Sequence, residues 1–132
     1  MRRIILDTNF LLIPIQFKVD IFSEISRICE FNYKLKIFEQ SISELKNIIE
    51  KQKGKDRKAA QFALKIINEK NLELIKSEKK DVDYLILKNI TKDDIVATQD
   101  LILKRKLHDK NVSVIILRQK KYLKLIERNL YK

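Results

Sequence analysis

Arg3-Ile4-Ile5-Leu6-Asp7-Thr8-Asn9 is the stretch whose reading decides the fold. Three apolar residues in a row, Ile4 to Leu6, predict a buried strand. An acid, a hydroxyl and an amide follow with no apolar residue between them. A carboxylate at the end of a buried strand needs a partner, because an unpaired buried charge is very costly. The rest of the chain is read for what Asp7 faces.

Working outward, Phe10-Leu11-Leu12-Ile13 is apolar and Pro14 marks a break or a helix start. Ile21, Phe22, Ile25, Ile28 and Cys29 recur at helical spacing between Val19 and Glu30. Tyr33 to Phe38 alternates as a short strand. Ser41 to Ile49 is helical, Gln52 to Lys58 is a basic connection, and Ala59 to Lys70 is a second helix. Leu72 to Ile75 reads as a strand and Val82 to Ile90 as a helix. Asp93 to Thr98 is a strand with its entry turn, and Asp100 to Lys110 a helix. Val112 to Leu117 is the strongest strand signal. The basic tail from Arg118 carries a helical expectation over Tyr122 to Tyr131.

Strand and helix alternate through five strands, which predicts an α/β three-layer sandwich around a mainly parallel sheet. Residues 1–132 read as one domain, and 45% of the residues are hydrophobic, enough for a sizeable core.

Composition removes whole classes of function. One glycine and one proline exclude Gly-rich phosphate loops and dinucleotide fingerprints. Cys29 is the only cysteine, so no internal disulfide or cysteine-based zinc site can form. It reads as a buried small hydrophobe in a reducing, cytoplasmic setting. His108 is the only histidine and falls at a helix end, read as solvated. No apolar run reaches the ~20 residues a membrane helix needs, and no signal-peptide pattern is present, so no membrane partner is expected. The net charge of +11 predicts attraction to polyanions, nucleic acid first. What remains in quantity for chemistry is carboxylates.

In such a fold ligands sit beyond the carboxyl ends of the strands, where strand order reverses. Asp7 follows the first strand and Asp100 the fourth. Glu44 and Asp83 each fall in the first turn of a helix that could open on that edge. Carboxylates gathered there repel one another unless a hard divalent cation joins them, Mg²⁺ or Mn²⁺. Such ions turn water into a nucleophile and neutralise a phosphoryl group. Thr8, Asn9, Thr98 and Gln99 flank the two strand-end acids and are candidates to orient them. Plainer readings stand beside these. Ser41-x-x-Glu44 is also a capping box. Asp83 and Asp100 are also helix N-terminal acids complementing the dipole. Asp81, Asp93 and Asp94 read as loop charges.

Ile4-Ile5-Leu6-Asp7-Thr8-Asn9 resembles the opening motif of PIN-domain nucleases. Ser43-Glu44-Leu45 looks like their second acidic motif, Val82-Asp83-Tyr84-Leu85-Ile86 their third, and Val96-Ala97-Thr98-Gln99-Asp100-x-x-Leu103 their fourth. Leu11-Leu12-Ile13-Pro14 and Leu117 to Leu123 look most like a small archaeal branch, akin to PIN proteins that process small-subunit ribosomal RNA and close to toxin-type PIN proteins. The resemblance spans Arg3 to about Leu125. It implies a sheet order 3-2-1-4-5, with strands one and four adjacent. It implies a metal-dependent endoribonuclease whose Asp7, Glu44, Asp83 and Asp100 hold Mg²⁺ or Mn²⁺. A ribosome precursor or an antitoxin protein is the implied partner, and a homodimer through N-terminal helices is common in the family. Two positions depart from the pattern: Tyr84 stands where relatives often carry a second aspartate, and Gln99 where they carry Asn or an acid.

RNA contacts are expected from the basic residues Lys53, Lys55 and Arg57, from Lys104 and Arg105, and from Arg118, Lys120 and Lys121. Tyr122 is a candidate to stack on a base, or packs the tail. Two other functions compete: an RNA-binding assembly factor with a weak site, and a phospho-acceptor receiver domain. The receiver needs an acid after its third strand, where Lys76 stands.

Overall fold

The computed structural model describes residues 1–128. Its centre is a six-stranded sheet of order β3-β2-β1-β4-β5-β6. The strands are β1 (Arg2–Leu6), β2 (Tyr33–Phe38), β3 (Glu73–Ile75), β4 (Ile95–Ala97), β5 (Ser113–Arg118) and β6 (Tyr122–Ile126). The first five run parallel, in the order the motif resemblance implies, and β6 is antiparallel to β5.

The period-2 alternation of a strand divides the core between two faces. Ile4 and Leu6 of β1 join Ile95, Ala97 and Ile115 on one face. Ile5 joins Val96, Val114 and Ile116 on the other. The first face is covered by α1 (Ile13–Phe17), α2 (Ile21–Ile28), α3 (Gln40–Lys51) and α4 (Gly54–Glu69). The second is covered by α5 (Val82–Asn89) and α6 (Leu101–Asp109). Two helical layers around a sheet give the expected sandwich. Ile4, Ile5 and Leu6 are fully buried, and burial is worth ~1.5–3 kcal/mol for each such side chain.

Local chemistry sets the ends of these elements. Asp20 caps α2 by accepting from the backbone N–H groups of Phe22 and Ser23. Pro14 sits in the first turn of α1, where its missing N–H costs nothing. α4 and α6 both end on an asparagine in the left-handed region, Asn71 (φ 52°) and Asn111 (φ 60°). The next residues donate back into their helices, Leu72 to Ile67 O and Val112 to Leu107 O, which is the Schellman arrangement.

Three expectations are corrected. The sheet has a sixth strand: Tyr122–Ile126 pairs with β5, from Arg118↔Tyr122 to Val114↔Ile126, and is not helical. The remainder of that expected helix, 129–131, lies outside the described residues. α4 begins at Gly54 rather than after Lys58, because Gly54 takes φ +65° and lets the helix start inside the basic stretch. Asp94 is no loop charge. It is 2% exposed and holds Arg3 at 3.0 and 2.7 Å while accepting the Thr91 N–H at 2.9 Å.

Cys29 is buried against the first core face, and desolvation pushes its thiol up to about 11. His108 is exposed near the end of α6. No helix among the described residues is long and apolar enough to cross a membrane.

Candidate active site

Asp7 stands where β1 leaves the sheet, and its N–H still donates to Ala97 O at 2.9 Å. Its side chain turns inward. Oδ1 accepts the Thr8 N–H at 2.9 Å and Oδ2 accepts the Thr98 hydroxyl at 2.7 Å. Burial pushes this carboxyl up to about 6, against the pull of both hydrogen bonds and with the help of the Glu44 and Asp100 carboxylates. Thr98 ends β4 on the same edge because β1 and β4 are parallel neighbours. Its Oγ1 also accepts the Asp100 N–H at 3.0 Å. One hydroxyl therefore joins the two strand-end acids.

Asp100 is the N-cap of α6, its Oδ1 accepting from Ile102 and Leu103 N–H at 2.8 and 3.0 Å. The capping reading holds for Asp100, and it also faces the cleft described below. The capping-box reading of Glu44 does not hold. α3 starts at Gln40, and Glu44 reaches across the fold instead. Its Oε1 accepts the Thr8 hydroxyl at 2.6 Å and its Oε2 the Val82 N–H at 3.0 Å. Ser41 lies 2.8 Å from Thr8 Oγ1. Glu44 thereby fixes the start of α5, where Asp83 accepts the Tyr84 N–H at 2.9 Å.

Asp7, Glu44, Asp81, Asp83 and Asp100 line one open cleft of ≈ 380 Å³, together with Thr8, Asn9 and Asn47. Sequence reasoning missed Asp81, which stands at the N-cap position of α5 without a capping side-chain hydrogen bond. Its signal was its place immediately before an apolar helical run. Six candidates from the sequence thus share the cleft, four carboxylates with Thr8 and Asn9, and no Lys, Arg or His lines it. Among the described residues no three acidic, thiol or imidazole groups stand close enough to enclose an ion unaided. The donor set is all oxygen, wider than a closed cage and open to water. That suits a hard divalent cation which keeps part of its hydration shell. A buried Asp7 whose carboxyl is pushed up to about 6, beside two further carboxylates, marks a site short of positive charge.

Asn9 lines the cleft, but its Oδ1 accepts the Gln99 N–H at 3.2 Å and its carbonyl the Gln99 Nε2 at 2.8 Å. Gln99 also reaches Gln16 at 3.3 Å and does not line the acidic cleft. Its side chain borders a second shallow cleft of ≈ 380 Å³ with Lys104, Lys120, Phe17 and Gln119. Arg118 and Lys121 flank the β5–β6 turn, and Arg105 is exposed on α6. Lys53, Lys55 and Arg57 are exposed at the start of α4 and line neither cleft. Tyr122 opens β6 opposite Arg118 and is partly exposed.

Comparison with known proteins gives a consistent set of likenesses. The family described as "PIN like domain" matches residues 4–120. The chain is 35% identical over 130 residues to Ribonuclease VapC4 of Methanocaldococcus jannaschii, covering 95% of this chain and 97% of that one. Among solved structures it is similar to the PIN domain endonuclease Utp24, with a TM-score of 0.77 at 20% identity over 93% of this chain and 90% of that one. A domain of a functionally unknown protein from Methanocaldococcus jannaschii gives a TM-score of 0.59 at 16% identity, over 89% and 92%. At those identities the two structures speak for the fold.

Proposed function

The chain belongs to the PIN-like domain family, and we propose that it is a divalent-metal-dependent endoribonuclease whose working centre is the acidic cleft. One observation carries this reading: five carboxylates line a single cleft without a basic residue, in a chain of net charge +11. Acids placed against the overall charge in this way serve a cation better than they serve folding. The 35% identity to a ribonuclease over nearly the whole of both chains supports RNA as the substrate.

In this reading Asp7, Glu44, Asp83 and Asp100 hold Mg²⁺ or Mn²⁺, and Asp81 adds negative potential at the mouth. A cation held there would supply Lewis-acid chemistry, activating water and offsetting charge on the scissile phosphate. The protein's own part is positional. Thr98 holds the Asp7 carboxyl in place at the sheet edge and ties it to the start of α6. Thr8 spends its hydroxyl proton on Glu44, which sets that carboxylate against α5. Carboxylates held by such partners keep their orientation without reorganising during the reaction. The basic residues around Lys104 and Lys120 attract the phosphate backbone and carry no sequence readout.

Cleavage of single-stranded RNA with Mn²⁺, with and without EDTA, tests the reading. It predicts cutting that EDTA abolishes and added Mn²⁺ restores; cutting unaffected by EDTA contradicts it. In this reading the role is ribosomal RNA processing, with a toxin restrained by an antitoxin as the alternative. The two share this chemistry and differ in product: a defined end on one precursor, or growth arrest relieved by a co-purifying inhibitor.

A further inference from the structure

Six large hydrophobic residues are exposed among the described residues, and three of them come within two residues after an acid of the cleft. Tyr84 follows Asp83, and Leu101 and Ile102 follow Asp100, on helices that pack side by side. Isolated exposed apolar residues need no explanation; their placement beside the cleft acids does.

Tyr84 is 48% exposed while Val82, Leu85 and Ile86 of the same helix are buried. The ring therefore contributes little to the core. Two ammonium groups stand near it, Lys80 Nζ at 6.0 Å and Lys88 Nζ at 5.8 Å from its centroid. Lys88 is held by Glu78 at 2.8 Å. Lys80 has no ion-pair partner among the described residues. A half-exposed aromatic ring with lysine ammonium groups over it at cation–π distance, one of them outside any ion pair among the described residues, joins a ring on which a base can stack in place of an ammonium to a phosphate contact. Tyr84 directly follows the cleft-lining Asp83 in the first turn of α5, its own ring lying outside the cleft's lining.

We propose that Tyr84 is a stacking platform for a base of the substrate strand at the lip of the acidic cleft, with Lys80 on the adjoining phosphate. The proposal rests on the reading of that cleft as an RNA-cleaving centre. Tyr84 is a positioning residue: it sets which phosphate enters, and stacking is tolerant of base identity.

The chain contains no tryptophan, so Tyr84→Trp installs a single reporter. A short single-stranded RNA is titrated in EDTA, with anisotropy of the labelled RNA read beside tryptophan emission. The expected result is quenching that saturates together with the anisotropy, and none from an abasic strand of the same length. In the cleavage assay Tyr84→Ala raises KM about 5- to 100-fold with kcat little changed, and Tyr84→Phe restores the parent value. Saturated anisotropy with unchanged emission overturns the platform, as does an unchanged KM in Tyr84→Ala. The two readings fail separately. Cleavage without quenching sinks the platform and spares the nuclease; quenching without metal-dependent cleavage sinks the nuclease and spares the platform.

Discussion

The Thr98 hydroxyl donates to Asp7 Oδ2 at 2.7 Å and is itself the acceptor for the Asp100 N–H at 3.0 Å. It is fully buried, so neither bond is exchanged with water. Asp7 and Asp100 come from distant parts of the sequence, and this one oxygen fixes their separation. Thr98→Val keeps the shape and removes the oxygen. It should cost ~1–3 kcal/mol, because a buried carboxylate oxygen and an N–H lose their partner together. Losing that donor also pushes the Asp7 carboxyl further up. Urea unfolding reads the first effect, and a cleavage profile moved to higher pH reads the second; an unchanged profile would mean Thr98 does not tune Asp7.

Glu44 accepts from Thr8 with one oxygen and from Val82 with the other. Glu44→Gln keeps only one acceptor, so one donor must face an amide NH₂. A loss of ~1–2 kcal/mol in stability is expected, with weaker Mn²⁺ binding by calorimetry. The substitution also removes a like charge from Asp7, so the acid limb of the cleavage profile should shift to lower pH. An acid limb that stays put would place Glu44 too far from Asp7 to influence it.

Asp7 titrates at about 6 in the folded protein against an ordinary value of 3.8. Folding therefore favours its protonated form. The associated stability is complete below about 3.8 and is lost as pH rises through about 6. Asp7→Asn should then stabilise the metal-free protein at neutral pH, by up to ~3 kcal/mol for a shift of this size. The variant's amide would donate where the carboxylate now accepts from Thr98, which offsets part of the gain. Thermal unfolding in EDTA below and above pH ~6 measures it. Divalent cation should stabilise the parent and leave the variant unmoved.

Arg3 and Asp94 form a paired clamp at the opposite end of β1 from Asp7. Arg3→Ala strands a buried carboxylate and should cost ~2 kcal/mol, discounted because Arg3 itself is a third exposed. Cleavage per folded molecule should be unaffected. Equal losses in stability and kcat would tie this clamp to the active cleft, contrary to the account.

The opening stretch was legible because strand, burial and acid are consecutive in it. Ile4 to Leu6 announce β1, and the alternation of strands and helices announces the sheet that places Asp7 beside Thr98. β6 was not legible. Its turn uses Gln119 and Lys120 at φ 52° and 55°, residues that signal no turn, and its neighbours are basic. The partnership of Arg3 with Asp94 spans 91 positions and leaves no local trace. Asp81 reads as a loop charge for the same reason. Its place in the cleft depends on the bond from Val82 N–H to Glu44, a tertiary contact across 38 positions. Glu44 looked like a cap because its spacing from Ser41 fits one. The hydroxyl of Thr8 competes for that carboxylate and wins.

The central claim is that Asp7 works by holding a divalent cation at the acidic cleft. Its most direct measurement is the Mn²⁺-dependent cleavage rate of single-stranded RNA by Asp7→Asn beside the parent chain, with circular dichroism confirming that both are folded. The account predicts a fall of at least ~100-fold, equivalent to about 2.7 kcal/mol or more of transition-state stabilisation, with RNA binding retained. A folded Asp7→Asn that cuts RNA as fast as the parent would contradict it.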